Sequence, residues 1–320
     1  MKKALVTGAS GFIGHHLVNK LREMGTPVRA VVRDAARARG ILGDAVEYVV
    51  ADLSDAASLR DVGSDCDVVF HNAVDYRAPR AHVPQTQNLL GALPAHVRWI
   101  QMSSIAAIGI RPLGTIDEST PCRPETEYGK AKLEADHLVL ESVEREQRKA
   151  VILRPPTVYG PGETYNFLSL CRAIQSGRFA LIGDGRNRID FLWVGNLVDT
   201  MIAAADATID GCEAFNIAND PALPFRDTVD IVSREVRGRS ISGRRIPLPV
   251  AKAIAWPLDI AARLLSRELP LGSARVRTMS GDLAFDLRKA RERLGYRPTR
   301  GLRETIAETV AWYRKESLLR

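Results

Sequence analysis

Over the first 160 residues, short apolar runs alternate with segments of helical period. Ala4–Val6, Val28–Val32, Val46–Val50, Val68–Phe70, Val97–Met102 and Val151–Leu153 are runs rich in Val and Ile. Continuous apolar runs separated by helical stretches predict strands of a parallel sheet covered on both faces. After the first run, Ile13, Leu17, Leu21 and Met24 recur at i, i+4, i+8 and i+11, the stripe of an amphipathic helix. Gly25 and Pro27 end that helix. Past Gly160 the rhythm changes, with Pro155, Pro156, Pro161 and Gly162 marking a boundary. One more unit is expected to rejoin the sheet: a strand at Phe191–Val194, a helix through Ala205 and a strand at Phe215–Ala218. Beyond it Pro221, Pro224, Pro247, Pro249, Pro257 and Pro270 divide the chain into shorter pieces. In the closing helix Leu302, Ile306, Val310 and Tyr313 share one face. The pattern predicts an α/β fold, a Rossmann-type doubly wound parallel sheet with a smaller, mostly C-terminal lobe. Residues 1–160, with about 191–218, make the sheet domain; about 161–190 and 219–320 make the lobe.

Composition narrows the class. With 320 residues, 45% hydrophobic and 26% charged, the chain is long enough for a sizeable core and too apolar to be disordered. Its charge is unevenly placed: residues 221–320 carry 21 Lys+Arg against 11 Asp+Glu, while residues 1–220 carry 24 against 27. A basic C-terminal third suits nucleic acid, an anionic membrane surface or a phosphorylated substrate. No apolar run reaches the roughly 18 residues of a membrane-spanning helix. The first residues run straight into a strand and turn, so no signal peptide is expected. Cys66, Cys122, Cys171 and Cys212 are far apart and lack metal-ligand spacing, so no metal is expected, and reduced thiols in a cytoplasmic protein are.

Chemistry enters at the first turn. Thr7-Gly8-Ala9-Ser10-Gly11-Phe12-Ile13-Gly14 follows a strand and opens a periodic helix. There the first glycine permits the tight turn, the second lets a pyrophosphate approach the backbone, and the third allows close helix–strand packing. The helix N-terminus offers free N–H groups to the phosphates. The second strand ends Val32-Arg33-Asp34. Arg33 suits a 2′-phosphate and favours NADP over NAD, with Arg37 or Arg39 assisting; alternatively Asp34 bonds the ribose hydroxyls and Arg33 is solvated. Asp52-Leu53 ends the third strand, where the carboxylate can reach an adenine amino group or cap a helix.

Tyr128 and Lys132 stand at i and i+4, on one helix face. A lysine cation beside a phenol lowers the phenol's pKa, so that the tyrosine can pass a proton to or from a substrate oxygen. The fifth strand ends Met102-Ser103-Ser104, at the edge where α/β sheets bind ligands, and a serine hydroxyl there can bond the same oxygen.

These motifs together resemble the extended short-chain dehydrogenases/reductases of the NAD-dependent epimerase/dehydratase family. Further matches are His71-Asn72-Ala73, the run Arg154–Gly162, Gly183-Asp184-Gly185 and Leu294-Gly295-Tyr296-Arg297-Pro298. The resemblance implies an NAD(P)-binding sheet domain and a substrate-binding lobe. It makes Tyr128 the acid/base, Lys132 its tuning partner and a ribose ligand, and Ser104, rather than Ser103, the catalytic serine. Cofactor contacts are implied at Gly8, Gly11, Phe12, Ile13, Gly14, Arg33, Asp52, Leu53, Asn72, Ala73, Tyr128, Lys132, Pro155 and Thr157. It also implies a homodimer through a helix pair that includes the Tyr128 helix, where Leu133, Leu138 and Leu140 are available.

Departures from the family pattern refine the reaction. Ile105-Ala106-Ala107 stands where dehydratases of the family carry Thr-Asp-Glu, which disfavours dehydration. Ile189 precedes Asp190, with Arg188 one position early, where many sugar-nucleotide epimerases place a diphosphate-binding Arg. His82 stands at the Asn of the family's Asn-Val-x-Gly-Thr helix and is expected at the surface. Phe191–Asn196 resembles the branch that includes 3β-hydroxysteroid dehydrogenases, with Asn196 expected to cap the next helix. The segment 246–272, with Trp256 and flanking Arg244, Arg245, Arg263 and Arg267, reads as pocket wall or as an interfacial amphipathic helix. The leading expectation is an epimerase or ketoreductase of a nucleotide-linked or lipid-linked sugar, an anionic small molecule. The alternative is a 3β-hydroxysteroid-dehydrogenase-like or dihydroflavonol-reductase-like oxidoreductase of a hydrophobic alcohol or ketone. A non-catalytic RNA-binding protein is disfavoured by the intact Ser104, Tyr128 and Lys132, and by the lack of any aromatic–basic interleaving.

Overall fold

A computed structural model describes residues 1–109, 114–241, 245–264 and 272–320. Seven parallel strands form the central sheet: β1 (Ala4–Thr7), β2 (Val28–Val32), β3 (Glu47–Val50), β4 (Val68–His71), β5 (Arg98–Met102), β6 (Ala150–Arg154) and β7 (Cys212–Asn216). Their order is β3-β2-β1-β4-β5-β6-β7. The chain winds outward from β1 to β3 and then crosses back to β4. The strand order therefore reverses between β1 and β4, and the C-terminal ends of those two strands open a crevice.

Helices cover both faces. Leu17 and Leu21 of α1 (Phe12–Glu23), Ala38 and Leu42 of α2 (Ala35–Leu42) share one core with the sheet. On the other face Leu89 and Leu90 of α3 (His82–Ala92) pack with Val139 of α4 (Glu127–Glu146) against Leu5, Val69 and Trp99. A third core joins α5 (Asn166–Gln175), α7 (Phe225–Arg237) and the last helix, α9 (Leu302–Lys315), through Phe167, Phe225, Val229, Val310 and Tyr313. Buried Glu163 ties this lobe together: its carboxylate accepts from the backbone N–H groups of Tyr165, Asn166 and Leu168 and from the Tyr313 hydroxyl.

Three expectations need correction. Phe191–Trp193 does not enter the main sheet; it pairs in parallel with Thr157–Tyr159 as a separate two-stranded ribbon. The last sheet strand begins at Cys212 rather than Phe215, because it is an edge strand whose first three residues are only half-buried. Asn196 does not cap α6 (Val194–Asp206): Trp193 stands at that boundary with no side-chain cap, and Asn196 is buried inside the first turn.

The helix α8 (Leu248–Leu264) resolves part of the 246–272 expectation. Ala251 and Ala255 are buried in a small cluster with Ile182 and Val276. Val250, Ile254 and Trp256 are 46%, 41% and 70% exposed, so they face solvent rather than a pocket. The expectations on Arg244, Arg267 and Leu269–Leu271, and on the Arg263 side chain, fall outside the described residues. Among the described residues no helix is long and apolar enough to cross a membrane.

Candidate active site

The crevice begins at the glycine-rich turn. Gly8 takes φ +64°, and a Cβ there would lie 2.9 Å from the Ala73 backbone nitrogen at the end of β4. A Cβ on Gly14 would meet the Gly8 carbonyl oxygen at 2.1 Å, so only glycine lets α1 pack this closely on β1. Gly11 stands before α1 with no side-chain cap, and Phe12 and Ile13 are half-buried in its first turn. The first N–H groups of the helix therefore point into the crevice without a protein side chain to satisfy them.

Beside the turn, β4 ends in His71-Asn72-Ala73. His71 is buried between the hydroxyls of Thr7 (2.9 Å) and Thr86 (3.1 Å), pinning β1, β4 and α3 together. Asn72 has both amide atoms buried without a partner. Buried polar groups are costly when unpaired, so Asn72 marks a place where a polar ligand belongs. An uncapped helix N-terminus, the glycine cradle and this orphaned amide together fit a nicotinamide dinucleotide.

The adenosine end is more open. Arg33 is exposed at the end of β2 and makes no hydrogen bond or ion pair among the described residues. Asp34 is engaged, its Oδ1 capping α2 by accepting from Arg37 N at 3.0 Å. Asp52 is exposed and accepts from Ser54 N at 2.8 Å. The helix-capping alternative for Asp52 is not realised, because Asp55 caps the following 3₁₀ turn. Leu53 is buried, and its carbonyl accepts from Asn88 Nδ2 at 3.0 Å.

At the nicotinamide end, Thr126 starts α4 by accepting from Gly129 N at 3.0 Å. A Cβ on Gly129 would stand 2.2 Å from the Ala106 carbonyl oxygen, so the helix rests directly on the short 3₁₀ turn Ile105–Ala107 that follows β5. That contact brings Tyr128 beside Ser104. Ser103 turns away and donates to buried Asp136 at 2.8 Å, which leaves Ser104 as the serine facing Tyr128. Pro155 and Thr157 follow β6 along the same edge, with the Pro155 carbonyl accepting from Ile105 N at 3.1 Å.

The electrostatics differ from the sequence expectation. Lys132 lies under the site, fully buried, and its Nζ donates to the Met102 carbonyl oxygen (2.7 Å) and to His82 Nε2 (3.2 Å). Its Nζ is 5.9 Å from the Tyr128 ring centre. Burial pulls Lys132 down to about 8, and nearby Asp136 opposes that shift. The Tyr128 phenol stands above its ordinary value, not below it. Burial is the main cause and Tyr76 the next, while the Ser104 hydroxyl pulls the other way. Lys132 points at Met102 and His82 rather than at the phenol oxygen, which is why the expected lowering does not appear. His82 is likewise not a surface residue: it is 1% exposed, beneath Lys132.

Two aromatic residues at the mouth carry no spacing signal in the sequence. The ring of Tyr76 lies 5.2 Å from that of Tyr128, and the ring of Tyr165 lies 6.2 Å from Tyr76. Both are mostly exposed. Arg188, by contrast, is not free for a diphosphate. Its Nε and Nη2 donate to both carboxylate oxygens of Asp282, at 2.9 and 2.5 Å.

A dinucleotide crevice with a tyrosine, a lysine and a serine converging at its inner end is the architecture of an NAD(P)-dependent enzyme of the extended short-chain dehydrogenase/reductase type. Residues 4–218 match the model of the NAD dependent epimerase/dehydratase family. The chain belongs to that family. Its relatives span several substrates. It is 31% identical over 344 residues to the 3beta-hydroxysteroid-dehydrogenase/decarboxylase isoform 1 of Arabidopsis thaliana, covering 96% of this chain and 78% of that protein. It is 24% identical over 298 residues to the N-acetyl-alpha-D-glucosaminyl-diphospho-ditrans,octacis-undecaprenol 4-epimerase of Escherichia coli O157:H7, covering 89% and 87%. Among solved structures it matches MoeE5 in complex with UDP-glucose and NAD, at 29% identity and TM-score 0.73, covering 98% of this chain and 99% of that one.

Proposed function

We propose that the chain moves a hydride between a nicotinamide cofactor and a secondary alcohol or ketone on a ring substrate, with Tyr128 as acid/base. The observation that carries this reading is the convergence of Tyr128, Ser104 and Lys132 at the C-terminal edge of β5, next to the glycine turn and the orphaned Asn72 amide. Bound nicotinamide supplies the hydride acceptor or donor. Tyr128, neutral at rest, donates its proton to a ketone oxygen as that oxygen gains negative charge, and takes a proton back in the reverse direction. Ser104 adds a hydrogen bond to the same oxygen. Lys132 provides positive charge beneath the phenol in a site shielded from water, where such charge acts strongly. The Gly8–Gly14 turn and α1 hold the pyrophosphate, and exposed Arg33 favours a 2′-phosphate, hence NADP.

For the substrate we favour a nucleotide-linked or lipid-linked sugar, acted on as an epimerase or a ketoreductase. The UDP-glucose complex of MoeE5 and the undecaprenol-linked epimerase support it. The exposed apolar side chains Val250, Ile254 and Trp256 around the solvent side of α8, with exposed Arg245 and Lys252 next to them in the chain, support contact of this helix with an anionic bilayer that would carry a lipid-linked substrate. A second reading, a hydrophobic alcohol or ketone, draws on the Arg188–Asp282 pair and on the Tyr76 and Tyr165 rings at the mouth.

Turnover of UDP-glucose, UDP-glucuronic acid and a 3β-hydroxysteroid, each with NAD and NADP, tests the reading. The Tyr128→Phe chain is expected to lose at least about a hundredfold in turnover on whichever probe reacts, with nucleotide affinity unchanged. Near-normal turnover in that variant overturns the role. An epimerase recycles its cofactor, so net consumption of added nucleotide with a sugar probe removes the epimerase reading.

A further inference from the structure

His82 opens α3, the helix that packs against α4, and lies under the inner end of the crevice. Its Nε2 is 3.2 Å from Lys132 Nζ. An ammonium has three N–H donors and no acceptor, so at this contact Lys132 donates and Nε2 accepts. The imidazole proton is then on Nδ1, which is buried and directed at the Ala73 backbone at the end of β4.

The surroundings keep this ring neutral. The His71 ring of β4 stacks on it at 5.2 Å, with an interplanar angle of 7°. Gln101 of β5 reaches its Nε2 at 3.5 Å, and Lys132 is the cation facing it from α4. The carboxylate one turn along α4, Asp136, accepts from Ser103 and Arg154 on Oδ2, and its charge supports the Lys132 cation. Burial, then Lys132, then His71 each oppose a charge on His82 and hold it well below its ordinary value. A neutral, acceptor-bearing ring therefore faces the lysine throughout the neutral range.

We propose that His82 is a positioning residue for Lys132: its Nε2 takes one ammonium N–H and the Met102 carbonyl takes a second, leaving the third for the reaction site. The inference rests on the proposed role of Lys132. A histidine that only filled space would leave the charge of Lys132 indifferent to its replacement. An acceptor does not, because removing it strands an ammonium N–H in a buried site and disfavours the cation.

The test reads Lys132 directly. The full chain, labelled with 13Cε-lysine, is titrated by NMR from pH 6 to pH 11, and the Lys132 resonance is assigned by its absence from Lys132→Met. Wild type is expected to titrate near 8. In His82→Gln the amide oxygen reaches the place of Nε2, and the midpoint is expected to stay put. In His82→Leu it is expected to fall by about one pH unit, a tenfold change in the ratio of charged to neutral lysine. An unchanged midpoint in a folded His82→Leu chain, or an equal fall in His82→Gln, overturns the proposal. If His82→Leu does not fold, His82→Asn replaces it: its shorter amide mimics Nδ1 and misses Nζ. It should titrate below His82→Gln, and equal midpoints for the two overturn the proposal. The readout needs no turnover, so an active Tyr128→Phe chain would refute the catalytic reading while leaving this result intact.

Discussion

Gly129→Ala is the sharpest structural test of how the site is assembled. The added Cβ would stand 2.2 Å from the Ala106 carbonyl oxygen, 3.0 Å from its carbon and 3.1 Å from Pro124 Cβ. Ordinary contact begins near 3.4 Å, so α4 and the 3₁₀ turn must part by about 1 Å. Neither side yields cheaply: the obstacle is backbone, and Ile105 N is bonded to the Pro155 carbonyl. Two terms compete. Alanine gains up to about 1 kcal/mol over glycine inside a helix. Overpacking of a tight contact costs about 1–3 kcal/mol. The clash is severe enough for the second to win, with a net loss of about 1–2 kcal/mol. Gly91→Ala in α3 is the matched control, since a Cβ there meets nothing within 4 Å. It should gain about 0.5–1 kcal/mol. Urea unfolding followed by tryptophan fluorescence measures both. The same displacement carries Tyr128 away from Ser104, and a misplacement of about 1 Å costs turnover on the order of a hundredfold. A Gly129→Ala chain as stable as wild type would refute the close packing of α4 on the Ile105–Ala107 turn.

Other outcomes follow from single groups. Arg33→Ala should weaken NADPH binding by about tenfold with NADH unaffected, read by nucleotide fluorescence titration; equal losses for both would place Arg33 outside the 2′-phosphate site. Lys132 is held at about 8, below its ordinary 10.5, so its cation is fully present only below that point. Turnover should therefore fall on the alkaline side near pH 8, and a profile flat to pH 10 would contradict the need for the cation. Trp256→Asp should abolish co-flotation of the chain with phosphatidylglycerol vesicles, and wild-type chain that stays unbound at low salt would remove α8 as a membrane contact.

Strands β1, β2, β4 and β6 were legible because they are almost wholly buried and read as short apolar runs rich in Val and Ile. The edge strand was not, since Cys212, Glu213 and Ala214 are half-buried, and Glu213 serves as an ion-pair partner of Lys289 and Arg293. Phe191–Trp193 has an apolar run like a sheet strand's, but it pairs only with Thr157–Tyr159. At the site, spacing along one helix was enough to join Tyr128 to Lys132. Nothing in local pattern joins His82 to Lys132, fifty residues on, or to His71 across the β4–α3 connection. A polar residue at a helix start reads as surface, and only the packing of α3 on α4 makes it the buried partner of a lysine. Likewise, the ion pair that occupies Arg188 depends on Asp282, 94 residues away.

On the proposed function the β1–β4 crevice holds a nicotinamide nucleotide with its reactive end at Tyr128. A crystal structure of the chain grown with NADP tests this most directly. The pyrophosphate should lie on the Gly8–Gly14 turn at the N-terminus of α1, the Asn72 amide should be satisfied by the ligand, and the nicotinamide should face Tyr128 and Ser104. Nucleotide bound elsewhere, or a nicotinamide turned away from Tyr128, would contradict it.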